Sequence, residues 1–197
     1  MEKTYDLRSI EQEFLRKSIH MSIALSPTVA NFIGVLPTIF LLGMGTIVYT
    51  VMEAMRVSGL NVGVVSAITS MVTREREKNG FVIAPITLGT GAMLALLLYP
   101  APAATIAIYA LAFGDGFASL VGKSIKTVKI PFTGGKSLGG SLACFFAVYF
   151  SAYPLLDDPY KAIIVAVSST IIEMIPSKDL DNMIMPVGTG MIASLML

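Results

Sequence analysis

NGFVIAPITLGTGAMLALLLYPAPAATIAIYALAFG, residues 79–114, runs for 36 positions without a charged side chain. A bilayer core about 30 Å thick takes roughly 17–25 apolar residues per helical crossing, so this run holds two short crossings. It breaks at Tyr99-Pro100-Ala101-Pro102, because proline removes a backbone donor and crowds the preceding turn. Spans are therefore predicted near 81–99 and 102–119. A second run, 18–52, carries no charge apart from the titratable His20 and breaks at Gly34-Val35-Leu36-Pro37. It predicts spans near 18–34 and 37–55.

The rest of the chain follows the same pattern. Spans are predicted near 138–154, 160–175 and 183–197, separated by Asp157-Asp158-Pro159 and by a loop from Pro176 to Asp181. Residues 2–17 hold eight charges, four of each sign, among Ile10, Phe14 and Leu15, which reads as an interfacial amphipathic helix over 1–17. Residues 57–78 read as a further helix at the interface, ending in the solvated block Arg74 to Lys78. Only 14% of the 197 residues are charged, against roughly 25% in a soluble domain, and mean hydropathy is +0.75. This excludes disorder, a coiled coil and a collagen-like repeat. The prediction is an all-α, polytopic membrane protein of about seven transmembrane helices plus the N-terminal amphipathic helix, in one integral membrane domain over 1–197.

Charge placement sets the orientation. With seven crossings and the 121–137 loop inside, thirteen of the fourteen Lys and Arg residues lie on the cytoplasmic side and only Lys161 lies outside, as positive-inside bias requires. The N-terminus is then cytoplasmic, and the stretch up to Lys17 does not read as a cleaved secretory leader. A net charge of +1 gives no reason to expect a nucleic-acid partner. The single Cys144 excludes an internal disulfide framework and reads as a packing residue. Pro85-Ile86-Thr87-Leu88-Gly89-Thr90-Gly91 echoes Pro186-Val187-Gly188-Thr189-Gly190; small residues of this kind serve close helix packing, and a duplicated ancestor is the alternative reading.

Ionisable groups near membrane depth are costly and usually functional. Here Arg16, Lys17, His20, Glu53, Arg56, Asp115, Glu173, Asp181 and Asn182 all fall at predicted cytoplasmic helix ends, which implies one polar site on that face, open to lipid. Four carboxylates (Glu53, Asp115, Glu173, Asp181) and an Asn suit Mg²⁺, held by few protein ligands plus substrate phosphates. The loop over 121–137 supplies Gly122-Lys123-Ser124 and Thr133-Gly134-Gly135-Lys136-Ser137, leading into Leu138-Gly139-Gly140-Ser141. Such a loop brings backbone amides and a lysine to phosphate oxygens, and the N-terminus of the following helix adds its dipole. It is not a Walker A loop, which would need Gly where Ile130 stands. Plainer roles also exist. Glu53 and Arg56, three apart, can neutralise each other. His20 can be an interfacial histidine, and Lys123, Lys126 and Lys129 can hold anionic headgroups. Asp115, between Gly114 and Gly116 inside an apolar span, has little structural use without a nearby cation.

Four stretches resemble one family. Arg16-Lys17-Ser18-Ile19-His20 resembles the R-K-x-x-H opening of the polyprenol kinases, a family that includes phytol kinase, dolichol kinase and the CTP-dependent diacylglycerol kinase. Gly114-Asp115 through Ala118 to Gly122-Lys123 resembles its G-D-x-x-A-x-x-x-G-[RK] motif. Lys136-Ser137-Leu138-Gly139-Gly140-Ser141 is similar to its K-[ST]-x-x-G-S motif, and Glu173 with Asp181-Asn182 and Pro186 to its E…D-N-x-x-x-P ending. The core is also similar to phosphatidate cytidylyltransferases, whose H-G-G and D-R ending is absent here.

The resemblance implies a CTP-dependent lipid kinase moving the γ-phosphoryl group to the hydroxyl of a membrane lipid alcohol of polyprenol, phytol or diacylglycerol type. A cytidylyltransferase making a CDP-lipid is the alternative. Under the kinase reading Asp115 and Asp181 hold Mg²⁺, with Asn182, Glu173 or Glu53 completing its shell. Lys136, Ser137, Gly139, Gly140 and Ser141 hold the triphosphate, with Lys123, Arg56, Arg16 and Lys17 neutralising charge. His20 or one of the acids takes the hydroxyl proton. The lipid tail lies along the membrane-facing side of the spans, and a homodimer partner could cover a lipid-facing cleft. A transporter would instead place its ionisable groups near the midplane between repeats.

Overall fold

The computed structural model describes residues 2–60, 63, 80–125, 127–177 and 180–197, with side chains from Ile10 onward. The helix expected over 57–78 lies for the most part outside the described residues, as do Arg74 to Lys78, Lys126 and Lys178.

All named elements are helical: α1 (Glu2–Met21), a 3₁₀ turn (Ser22–Leu25), α2 (Ser26–Ile33), α3 (Val35–Val57), α4 (Ala84–Leu98), α5 (Ala101–Ser124), α6 (Leu138–Leu156), α7 (Pro159–Glu173) and α8 (Asp181–Met196). The breaks fall where the local chemistry puts them. Gly34 adopts φ +94° between α2 and α3, a conformation open to glycine and poor for other residues. Tyr99 is extended before Pro100, as a residue preceding proline must be. Asp157 closes α6 in the left-handed region, and the Asp158 side chain accepts from Tyr160 and Lys161 N–H groups to open α7, a standard N-cap.

The first expected span does not form as one helix. α1 continues past Lys17 to Met21, and the backbone tightens over Ser22–Leu25 before α2 begins. The Ser22 hydroxyl donates to the Ile19 carbonyl at 2.6 Å, and the Ser26 hydroxyl to that of Ile23 at 2.7 Å. Pro27 has no N–H to offer the Ile23 carbonyl, which takes the Ser26 N–H and hydroxyl instead.

Among the described residues, three helices are long and apolar enough to cross a membrane: α3, α5 and α6. α4, α7 and α8 have 15, 15 and 16 residues, about 22–24 Å at 1.5 Å per residue.

α5 is the central helix, with 61% of its span buried against 6% for α3. Around it Ala103, Ile106, Ala110, Cys144, Val148, Ala162, Val165 and Met185 form one core shared with α6, α7 and α8. Small residues set the spacing. A Cβ on Gly91 would come within 2.0 Å of the Asn182 carbonyl, and one on Gly190 within 2.3 Å of the Tyr99 ring. The two glycine stretches are therefore close-packing surfaces, Gly91 of α4 against α8, Gly89 against Thr46 of α3 and Gly188 against Ile172 of α7, and the Tyr99 hydroxyl adds a bond to the Val187 carbonyl at 2.6 Å. Outward-facing Phe32, Leu36, Phe40, Phe150 and Leu195 give a surface suited to hydrocarbon.

Candidate active site

Residues 13, 16, 17 and 20 share one face of α1, because helical neighbours recur at three and four positions. That face lies on the C-terminal half of α5. The Lys17 ammonium is bonded to the Asp115 carboxylate, and His20 Nε2 lies 3.3 Å from the same oxygen and 3.0 Å from the Leu111 carbonyl. Asp115 ends a π-helical segment, Ala110–Asp115, inside α5. Such a segment widens one turn and re-aims the side chains that follow, and it recurs at functional sites. All three side chains are nearly buried, and the pairing of Lys17 with Asp115 offsets the cost of removing those two charges from water.

A second cluster continues along the same two helices. Glu13 is bonded to Arg16 and to Lys123, and it accepts from the Ser119 hydroxyl at 2.6 Å. Burial pushes the Glu13 carboxyl up, but Arg16, Lys123 and Ser119 together outweigh it and hold the pKa down at about 2. Neither Glu13 nor Ser119 has a separate role in the reading from sequence. The signal is helical periodicity: 13, 17 and 20 share one face of α1, and they meet 119 and 123, then 115, then 111 and 115 on α5, which runs antiparallel.

Across the site, Lys136 lies 2.8 Å from Glu173, which joins the loop before α6 to the last turn of α7. Asp115, Lys17 and Lys136 act electrostatically on both Glu173 and Asp181, so these five groups form one neighbourhood. Asp181 accepts from the Asn182 N–H at 3.0 Å. The Asn182 side chain donates to Thr87 Oγ1 at 2.9 Å and to the Ala84 carbonyl at 3.3 Å, tying α8 to α4.

Glu53 and Arg56 make an ion pair of their own at the end of α3. Arg56 donates to both Glu53 oxygens at 2.8 and 2.7 Å and to the Gly80 carbonyl, while the Val82 N–H donates to Glu53. Glu53 is fully buried, and the pair holds the chain before α4 against α3.

The N-terminal amides of α6 have partners within the chain. Leu138 N–H bonds to the Val128 carbonyl, Gly139 to Thr127 Oγ1, Gly140 to Ser137 Oγ and Ser141 to the Ser137 carbonyl. A hairpin across the Lys129–Ser137 bridge supplies two of these acceptors. The glycines also set the distance between α5 and α6: a Cβ on Gly140 would lie 2.6 Å from the Ala118 carbonyl, and one on Gly122 would lie 3.0 Å from Ser137 Oγ.

Among the described residues, three buried side-chain polar atoms have no hydrogen-bond partner: Arg16 Nε, Ser141 Oγ and Glu173 Oε2. Buried polar atoms are nearly always satisfied, and these three belong to three of the four motif stretches. No group of three His, Cys, Asp or Glu among the described residues is placed to hold a metal by itself. The donor set instead suits a Mg²⁺ that takes one or two carboxylates and completes its shell with phosphate oxygens and water.

No family model and no solved structure matches the chain. Curated relatives do. A protein of Zea mays named probable phytol kinase, chloroplastic, is 26% identical over 96% of this chain and 68% of its own length. One of the same name from Triticum aestivum is 28% identical over 66% of this chain and 49% of its own. Farnesol kinase, chloroplastic, of Arabidopsis thaliana is 30% identical over 41% of this chain. The matches cover from 38% to 68% of the phytol kinases' own length, and the relatives are kinases of the polyprenol type.

Proposed function

We propose that this protein is a lipid-alcohol kinase that moves the γ-phosphoryl group of CTP, as its magnesium complex, to the hydroxyl of a membrane-embedded isoprenoid alcohol. The observation that carries this reading is the set of three unpartnered polar atoms, on Arg16, Ser141 and Glu173, in a chain whose relatives are phytol and farnesol kinases. In a seven-crossing arrangement, with the broken segment from Ser18 to Ile33 as the first crossing and α4, α7 and α8 as short spans, the site faces the cytoplasm.

Phosphoryl transfer asks for positioning and charge neutralisation more than for covalent chemistry. Lys136 and Ser137 hold the nucleotide's phosphates through their side chains, with Arg16, Lys17 and Lys123 adding positive charge. Asp115 and Asp181 would hold the magnesium ion, which supplies charge neutralisation on the phosphates. Each buried cation of the site has a carboxylate partner, and a magnesium nucleotide carries both signs. It can therefore take over both halves of a pair without stranding either charge.

In the transfer, the alcohol oxygen forms a bond to the γ-phosphorus as the bond from that phosphorus to the β-bridging oxygen breaks. CDP leaves with the electron pair. The hydroxyl proton passes to a carboxylate, for which Glu173 is the best placed because its Oε2 has no partner, whereas His20 Nε2 is engaged with Leu111 and Asp115. The products are a phosphate monoester of the lipid and CDP.

The test uses purified protein in detergent with phytol, farnesol and diacylglycerol as acceptors. CTP labelled at the γ- or the α-phosphate is supplied in parallel, with magnesium. Label reaching lipid only from the γ position establishes the kinase and names the acceptor. Label only from the α position identifies a cytidylyltransferase and overturns the proposal.

A further inference from the structure

We infer that the hairpin over 128–138, between α5 and α6, is seated in the headgroup–acyl boundary of the bilayer that holds the protein, with Phe132 and Val128 as its inserted side chains. Phe132 is fully exposed, and Val128 is 76% exposed. Between them Lys129 is exposed and Ile130 is half-buried. Apolar side chains beside a lysine are the pattern of segments that lie in a membrane interface, where the long lysine stem lets its ammonium reach headgroup phosphates.

The turn itself holds Phe132 outward. Its backbone takes φ +65°, a conformation that bulky residues rarely adopt and that persists only where surrounding bonds over-determine it. Those bonds are present. Ile130 N–H donates to the Lys136 carbonyl at 2.9 Å, Leu138 N–H to the Val128 carbonyl at 2.9 Å, and the Thr133 hydroxyl to the Ile130 carbonyl at 2.8 Å. Gly134 and Gly135, both at positive φ, complete the turn. A phenyl ring fixed away from the core is costly in water, and acyl chains remove that cost by covering it.

Three contacts lay the hairpin across the end of α7. Lys136 lies 2.8 Å from Glu173, and a Cβ on Gly134 would lie 3.3 Å from Cβ of Pro176. Ile130 borders an open apolar face with Met174 and Ile171 of that end and with Leu142 and Phe145 of α6. α6 is one of the helices long and apolar enough to cross a membrane, and Leu138, Leu142, Ile171 and Ile175 at these helix ends are about half exposed. The hairpin tip therefore continues the lipid-facing surface of α6 and α7 at its edge. Bilayer already occupies that surface, and a second copy of the chain would have to displace it.

The chain contains no tryptophan, so Phe132→Trp and Val128→Trp, made separately, each place a single indole on an exposed position of the hairpin. Phe150→Trp, on the outward face of α6, is the lipid-contact reference. The three proteins are reconstituted in phosphatidylcholine vesicles with and without bromine on the acyl carbons nearest the headgroup. Bromine quenches an indole only at close contact. It should lower the emission of the Phe132→Trp and Val128→Trp proteins to about the same fraction as that of the reference, and iodide in the water on both sides should quench them little. Emission of either hairpin variant that bromine leaves unchanged overturns the proposal. In that case quenching by iodide puts the hairpin in water, and shielding from iodide puts it against protein, a second copy included. The emission is read without turnover, so failure of the kinase reading would leave the outcome as it is.

Discussion

The Lys17 ammonium of α1 is bonded to the Asp115 carboxylate of α5, 98 positions further along the chain. The pair joins the opening motif to the Gly-Asp motif inside the bundle. Both groups are nearly buried, so neither can lose its partner without leaving a charge away from water.

This pairing separates structural from chemical roles. Asp115→Asn alone should lower stability by about 3–5 kcal/mol, because Lys17 is left buried and unpaired. Adding Lys17→Met should recover most of that loss. Turnover should stay at least about 100-fold below the unmodified protein in both variants, the scale of a lost charge-stabilising or proton-transfer group. Thermal unfolding in detergent and γ-phosphoryl transfer measure the two effects. A double variant with restored activity would show that Asp115 is not needed for the chemistry.

Glu53 should behave differently. Its oxygens bond to Arg56 and to the Val82 N–H, so Glu53→Gln should cost about 1.5–3 kcal/mol, the usual value for hydrogen bonds to a charged group. Turnover per folded molecule and the magnesium dependence should not change. A raised magnesium requirement in this variant would instead put Glu53 at the metal.

The Glu13 cluster predicts a pH signature. Its carboxyl has a pKa of about 2 in the folded protein, against an ordinary value of 4.5. Between these values the unfolded chain binds the proton and the folded chain does not. The stabilisation is therefore complete above about pH 4.5 and is lost progressively as pH falls toward 2. In Glu13→Gln the midpoint of unfolding should already be lower at pH 7, and the difference from the unmodified protein should shrink on acidification. A constant difference from pH 7 to pH 3 would show that the cluster does not hold α1 to α5.

The two glycines opening α6 should differ in sensitivity. A Cβ on Gly140 meets the backbone carbonyl of Ala118 at 2.6 Å, while one on Gly139 meets the Thr127 side chain at 2.9 Å. A backbone carbonyl cannot swing aside as a side chain can. Gly140→Ala should therefore cost about 1–3 kcal/mol, and Gly139→Ala less, read from unfolding midpoints of the two variants side by side. Equal midpoints would mean that α5 and α6 are not in the close contact described.

The helical character, most of the helix boundaries and the membership of much of the polar cluster were legible in the residues alone. Gly34, the Tyr99-Pro100 step and Asp157-Asp158-Pro159 each act through their own backbone chemistry, so the chain breaks there whatever surrounds it. The absence of charge over 79–114 is likewise a local property. The first span differs for a related reason: its apolar composition is that of a single crossing, while the 3₁₀ turn over Ser22–Leu25, with the hydroxyls of Ser22 and Ser26 bonded to Ile19 and Ile23, shows only in the structure. The Gly139-Gly140 pair carried two meanings, since glycine admits a phosphate and a neighbouring helix equally well, and the contacts with Thr127 and Ala118 show the second use.

The choice of partners belongs to the tertiary structure. Asp115 meets Lys17 and His20, Glu13 meets Ser119 and Lys123, and Glu173 meets Lys136, while Glu53 and Arg56 keep to each other. Apart from this last pair, at helical spacing, these contacts cross between elements far apart in sequence. They depend on which face of α1 lies on α5 and how closely α6 and α7 approach it, and no local pattern of residues encodes that. A residue's own chemistry determines where a helix starts and that a buried carboxylate needs a cation; the docking of helices determines which cation it meets.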